Sequence, residues 1–321
     1  MHATVPRQTR VTMTSPIRVS RATCSTKKPV VVAVIDTGLD TNHDRFRNHI
    51  WINPGETGVD AFGKDKSDNQ VDDDANGFID DVHGWNFADQ SNILSDQHGH
   101  GTHIAGLIIG QQNTRAVAST DCHPIKLMIL KYYERGMPPS ASLRASTAAI
   151  RYAVKMHARV INFSSGGFNP DANEKAAITK AARANVLLVA AAGNNHNNND
   201  HDGFYPASYK LPNILSVAAL DSSGQKLLDF SNYGEHSVNI AAPGENLIST
   251  LPGGDVGPMS GTSQATAVVT RIVARFLQLH PRVQSPEEII AHIDETATAV
   301  DNFHNRLISG GKLNPALALE K

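Results

Sequence analysis

The sequence predicts an α/β domain: a doubly wound, mostly parallel sheet with helices on both faces. Three observations point there. Continuous apolar, β-branched runs recur along the chain, and helix-length segments alternate with them. The 321 residues, 40% hydrophobic and 19% charged, are enough to bury one large core.

The elements follow in order. Residues 1–28 are polar and aperiodic and read as an N-terminal arm or tail, leaving 29–321 for the main domain. Pro29-Val30-Val31-Val32-Ala33-Val34-Ile35 has no polar interruption, as suits a strand buried on both faces. Similar runs stand at 125–130, 160–163, 186–191 and 214–219. Between them, 142–157 places Leu143, Ile150 and Val154 at helical spacing, and 171–185 is a second helix candidate. Residues 53–90 break the pattern. They are rich in Asp, Gly and Asn and read as a long insertion without regular structure, which a compact domain tolerates when it is functional or metal-stabilised. A second polar tract spans 194–202.

Composition excludes several classes of function. Lys and Arg number 29 against 31 Asp and Glu, a formal charge of −2, so no basic excess exists to grip nucleic acid or an anionic membrane surface. No apolar run approaches the roughly 20 residues of a bilayer span, and the first thirty residues lack the apolar core of a signal peptide. Two cysteines, Cys24 and Cys122, are too few for a disulfide scaffold or an all-cysteine metal site.

Four segments carry chemistry. Asp36 follows the first buried run, where functional groups collect at the carboxyl ends of parallel strands, although Asp also caps turns. His98-Gly99-His100-Gly101-Thr102-His103 leads into a small-residue helix. A spacing of two does not put side chains on one helical face, so a helix-borne zinc pair is absent. Ser263 falls in the first turn of a long apolar helix, where free N–H groups and the helix dipole stabilise an oxyanion; Ser260 and Thr262 read equally well as caps. Asn194 closes Ala190-Ala191-Ala192-Gly193-Asn194 at the end of another run and supplies an amide donor.

Together, in the order Asp, His, Ser, these residues resemble the subtilisin-like serine proteases. The resemblance runs through about residues 30–318, including Tyr205-Pro206-Ala207-Ser208, Ala241-Ala242-Pro243-Gly244 and Gly310-Gly311-Lys312-Leu313-Asn314. It implies a subtilisin-like fold and hydrolysis of polypeptide substrates of broad specificity by a monomer. No organic cofactor, nucleic acid or membrane takes part. It also implies a secreted or periplasmic setting. Asp36 would orient the imidazole, His100 act as general base, Ser263 as nucleophile and Asn194 as oxyanion donor. Ser164, Ser165 and Gly166 would pair with the substrate backbone, with Ala191, Ala192 and Gly193 as the facing wall of the first specificity pocket and Phe204 at its base, making that pocket shallow. Cys24 and Cys122 would approach the same end of the sheet, placing a disulfide within reach.

Several residues depart from the family pattern. Gln264 and Ala267 replace the usual Met and Pro, which leaves a ligase or transamidase open; a silent fold acting as a binding module is a further alternative. Arg45 stands where the family carries a calcium-anchoring Asp. Asp72, Asp74, Asn76 and Asp80 occupy positions 1, 3, 5 and 9 of a calcium-loop pattern, with Gly77 at the turn, but His83 replaces the terminal Glu; Asp68 and Asp81 are further candidates. The bland reading is a solvated acidic loop closed by Asn-Gly.

Overall fold

A computed structural model of the chain describes residues 29–110 and 125–320. The expected N-terminal arm and the Cys24–Cys122 pairing lie outside the described residues. In chain order the elements are β1 (Val31–Asp36), β2 (Gly84–Asn86), α1 (His100–Ile109), β3 (Lys126–Lys131), α2 (Pro139–Lys155), β4 (Val160–Phe163), α3 (Ala172–Arg183), β5 (Leu187–Ala191), β6 (Ile214–Leu220), β7 (Ile240–Pro243), β8 (Leu247–Thr250), β9 (Val256–Met259), α4 (Thr262–Leu279), α5 (Pro286–Glu295), β10 (Thr298–Ala299), β11 (Gly311–Lys312) and α6 (Pro315–Ala318).

One nine-stranded sheet has the order β10-β11-β7-β6-β5-β4-β1-β3-β2, and β8 pairs with β9 in a separate antiparallel hairpin. Every pairing in the large sheet is parallel except β10 with β11. From β1 the chain moves to β3 on one side and to β4 on the other, so strand order reverses there. A crevice therefore opens beyond the carboxyl end of β1.

Alternation along each strand explains why the runs are apolar throughout. Val32, Val34, Leu127, Ile129, Val189 and Val217 point to one face, where they pack with Ile104 and Ile108 of α1 and Val269, Val273 and Phe276 of α4. Ala33, Ile35, Met128, Leu130, Ile161 and Leu188 point to the other, against Ile150 and Ala153 of α2 and Ile178 and Ala181 of α3. Each fully buried Val, Leu or Ile is worth roughly 1.5–3 kcal/mol relative to exposure, so both layers hold the sheet. Helix ends carry the chemistry expected of them: Asp171 accepts the N–H groups of Asn173 and Glu174 at the start of α3, and Ser285 accepts that of Glu288 at the start of α5.

Residues 53–90 are more ordered than expected from sequence. Their carboxylates bind local backbone: Asp60 accepts from Phe62 and Lys64, and Asp65 from Ser67. The segment then ends in β2, which joins the sheet edge beside β3. Trp85 and Phe87 there are buried, and Phe78 packs edge-on against Trp85, Phe87 and Tyr152. Phe78, Trp85 and Phe87 supply the apolar area that the segment's Asp-rich composition hides. Among the described residues no helix is long and apolar enough to cross a membrane.

Candidate active site

Asp36 is the last residue of β1 and His100 the first of α1. Their side chains meet at 2.7 Å through His100 Nδ1 and Asp36 Oδ1. Asp36 is buried and its Oδ1 also accepts the Thr37 N–H at 2.8 Å. Close approach of the two elements requires glycine. A Cβ on Gly101 would lie 2.2 Å from the Gly38 carbonyl oxygen and 3.2 Å from the Asp36 Cβ. Burial pulls the His100 pKa down, but the charge and hydrogen bond of Asp36, helped by the charge of Asp96, outweigh it and hold the imidazole above its ordinary value.

Ser263 lies in the first turn of α4, behind an N-cap, Gly261, that makes no side-chain capping bond. First-turn N–H groups are thus left for another acceptor. The Ser263 hydroxyl donates to the Ser164 carbonyl at 2.9 Å and not to His100. Catalytic hydrogen bonds of this kind commonly tighten only when substrate is bound. Asn194 is fixed by its oxygen, which accepts from the Thr262 N–H at 2.9 Å and the Thr262 hydroxyl at 3.0 Å. Its amide nitrogen is the end left to donate. A Cβ on Gly261 would come within 3.5 Å of that nitrogen.

The expected substrate-binding residues converge on the same place. Register between β4 and β5 ends at Phe163 opposite Ala190, so Ser164, Ser165 and Gly166 run on past the sheet on one side, and Ala191, the last residue of β5, leads Ala192 and Gly193 out on the other. Phe204 fills the space between them. A Cβ on Gly166 would lie 2.5 Å from its ring and one on Gly193 3.0 Å from it, while Phe168 meets it edge-on at 5.5 Å. The Tyr205–Pro206 bond is cis.

Three groups escaped the sequence reading. Asp96, buried before α1, accepts from Thr37, His98, Gly99 and Thr102. Its signal was an acidic residue just ahead of a helix start. Asn162 is fully buried; it donates to the Ser164 hydroxyl at 2.9 Å and accepts from Thr270 of α4 at 2.9 Å, tying β4 to the helix of Ser263. Lys131 ends β3 opposite Asp36, buried, and donates to the Ser95 carbonyl at 2.6 Å. Of the three histidines, His98 and His100 stand edge-on with ring centroids 6.3 Å apart, whereas His103 turns away and is held by the Leu247 and Gly257 carbonyls at 2.9 and 3.1 Å.

The four expected calcium-loop residues do not share one ligand set. Asp72 accepts the N–H groups of Asn76 and Gly77, and Asp80 those of Asn69 and Gln70. Asn76 directs its oxygen to the Phe78 N–H. Only Asp74 joins a cluster of carboxylates, and its companions are Glu56 and Asp81. Arg45, at the family's calcium-anchoring position, donates to the Gly110 carbonyl at 2.5 Å.

A family model described as the subtilase family matches residues 27–310. The chain is 32% identical over 236 residues to a thermostable alkaline protease of Halalkalibacterium halodurans, covering 71% of this chain and 61% of that one. It is 31% identical over 249 residues to the major intracellular serine protease of Bacillus subtilis, covering 77% and 68%. It thus spans about two thirds of the length of these curated relatives. Among solved structures it is similar to the prenylagaramide maturation protease PagA, with a TM-score of 0.65, 26% identity and coverage of 91% and 92%. The S218A mutant of the PatA protease domain gives 0.64, 28%, and 92% and 96%.

Proposed function

The chain belongs to the subtilase family of serine proteases, and on that premise we propose that it is an endopeptidase working through an acyl-enzyme at Ser263. The observation that carries the reading is the Asp36–His100 pair at 2.7 Å, with Asp36 buried and His100 partly exposed, seated on α1 against the helix that bears Ser263. His100 Nε2 takes the Ser263 proton as Oγ attacks the scissile carbonyl, and Asp36 stabilises the imidazolium so formed. The proton then passes to the leaving amine, and water repeats the sequence to release the acid. The Asn194 amide and the Ser263 N–H would stabilise the oxyanion, which exists only in the tetrahedral species; losing such a donor costs about 2.7–4 kcal/mol. Ser164–Gly166 would hold the substrate as an added strand, reading main chain more than side chains. Phe204, whose ring lies against both Gly166 and Gly193, would restrict this breadth at one position by favouring a small side chain before the scissile bond.

A fluorophosphonate probe tests the reading. Intact mass should show one adduct on the wild-type chain and none on Ser263→Ala, and peptide profiling should show cleavage after Gly, Ala or Ser. Folded wild-type protein that takes no adduct would instead mark a silent fold.

A further inference from the structure

We propose that Asn232 is a positioning residue for the reaction: it grips the chain on both sides of Asn194 and so holds that amide where the oxyanion forms. The inference rests on the reading of Asn194 as an oxyanion donor. Asn194 itself is exposed, just past the end of β5. An exposed donor stabilises developing charge only if its place is already fixed, because one that must reorganise during the reaction contributes little. Thr262 fixes the tip of the side chain through the Asn194 oxygen. The backbone beneath it is fixed by Asn232, which lies between β6 and β7 and is fully buried.

Before Asn194 in the chain, the Asn232 N–H donates to the Gly193 carbonyl at 2.9 Å, and its Nδ2 donates to the Ala192 carbonyl at 3.0 Å. After Asn194, its Oδ1 accepts the N–H groups of Asn195 at 2.8 Å and Asn197 at 3.1 Å. One buried amide thereby closes a ring of which Asn194 is the exposed tip. Gly193 makes room for it. A Cβ there would lie 2.4 Å from the Asn232 Nδ2, and the Gly193 φ of 109° is one that residues with side chains rarely adopt.

Asn232 is held in its turn. Its Nδ2 also donates to Asn199 Oδ1 at 3.1 Å, and the Asn199 amide donates to the same Ala192 carbonyl at 2.8 Å. Tyr233, next in the chain, donates its N–H to the Asn197 carbonyl at 3.0 Å and accepts the Asn199 N–H at 2.7 Å. With two bonds donated from Nδ2 and two accepted at Oδ1, the Asn232 side chain has used its full hydrogen-bonding capacity. It is buried and saturated, so it meets no substrate, and its part in the reaction runs through Asn194.

A double-mutant cycle with Asn194→Ala tests this on the full chain, with kcat expressed per active site counted from the fluorophosphonate adduct. Asn194→Ala should lower kcat roughly 100- to 1000-fold with KM little changed. Asn232→Ala should lower kcat about 10- to 100-fold, again with little effect on KM, because a misplaced donor fails the transition state rather than the bound substrate. In the Asn194→Ala background the same substitution should cost no more than about 2-fold, since the group it positions is gone. Asn232→Asp, which keeps the size but loses the amide donor to Ala192, enters the cycle with the same expectation should Asn232→Ala fail to fold. Equal losses in the two backgrounds would overturn the proposal and leave Asn232 a support of the fold at large. So would an Asn232→Ala protein with wild-type kcat. An Asn194→Ala protein with wild-type kcat would overturn the oxyanion reading itself, and the proposal with it.

Discussion

His100 can accept a proton only while neutral, so the environment that raises its pKa also sets the acid limit of the reaction. Asp36 is the chief cause of that rise. The acid limb of kcat/KM should therefore have its midpoint above the ordinary histidine value of about 6.5. In Asp36→Asn the limb should move to lower pH, while kcat drops by about 10⁴-fold because the tautomer is no longer fixed. A limb unmoved by the substitution would mean that another group titrates. At this scale much of the site was legible, because Asp36, His100, Asn194 and Ser263 each stand at the end of a strong apolar element. Glu56 was not: nothing near it in sequence shows that its carboxylate lies with Asp74 and Asp81. The Ser263–Ser164 bond was equally hidden, since it joins positions 99 residues apart.

Elements are fastened by groups that do no chemistry, and Asp96 is the main one. Its Oδ1 accepts from the Thr37 hydroxyl and the His98 and Gly99 N–H groups, and its Oδ2 from the N–H and hydroxyl of Thr102. Thr37 in turn accepts the Gly101 N–H at 2.9 Å. The turn after β1 and the first turn of α1 are thereby one rigid unit. Burial raises the Asp96 pKa, but these hydrogen bonds more than reverse it and hold the carboxyl below the usual range. Its stabilisation is accordingly present at neutral pH and lost as pH falls through that lowered value. Asp96→Ala should cost about 2–4 kcal/mol of stability by leaving buried donors unpaired. It should also lower kcat at least ~10-fold with KM little changed, since only the imidazole is misplaced. Unfolding curves and steady-state kinetics on the folded variant check both, and an unaltered kcat would make Asp96 purely structural. The long elements were visible in sequence because their faces are uniformly apolar. β2, β7, β8, β9, β10 and β11 were not, since two to four residues carry no measurable period and their partners lie far away in sequence, and α5 was not read as a helix either.

The whole molecule separates chemistry from stability along the strand direction. Asp36 ends β1, and Ser164 and Asn194 lie beyond the carboxyl ends of β4 and β5. Asp294 of α5 lies at the opposite edge, where its Oδ2 accepts from Asn239, the residue before β7, at 2.9 Å. Its Oδ1 is buried without a partner. Burial first, and the charge of Glu295 after it, push the Asp294 carboxyl up to about 6 against the hydrogen bond from Asn239. The folded state therefore holds this proton at pH values where the unfolded chain has lost it. That contribution is complete below about pH 4 and gone once pH passes about 6, a loss on the order of 2–3 kcal/mol. Asp294→Asn keeps the shape and removes the titration. Its Tm should match wild type near pH 4 and exceed it by a few degrees at pH 8, with the gap opening between those values. Because the carboxyl ends of the strands are untouched, kcat should not change. A Tm difference independent of pH would show that Asp294 acts through packing rather than charge.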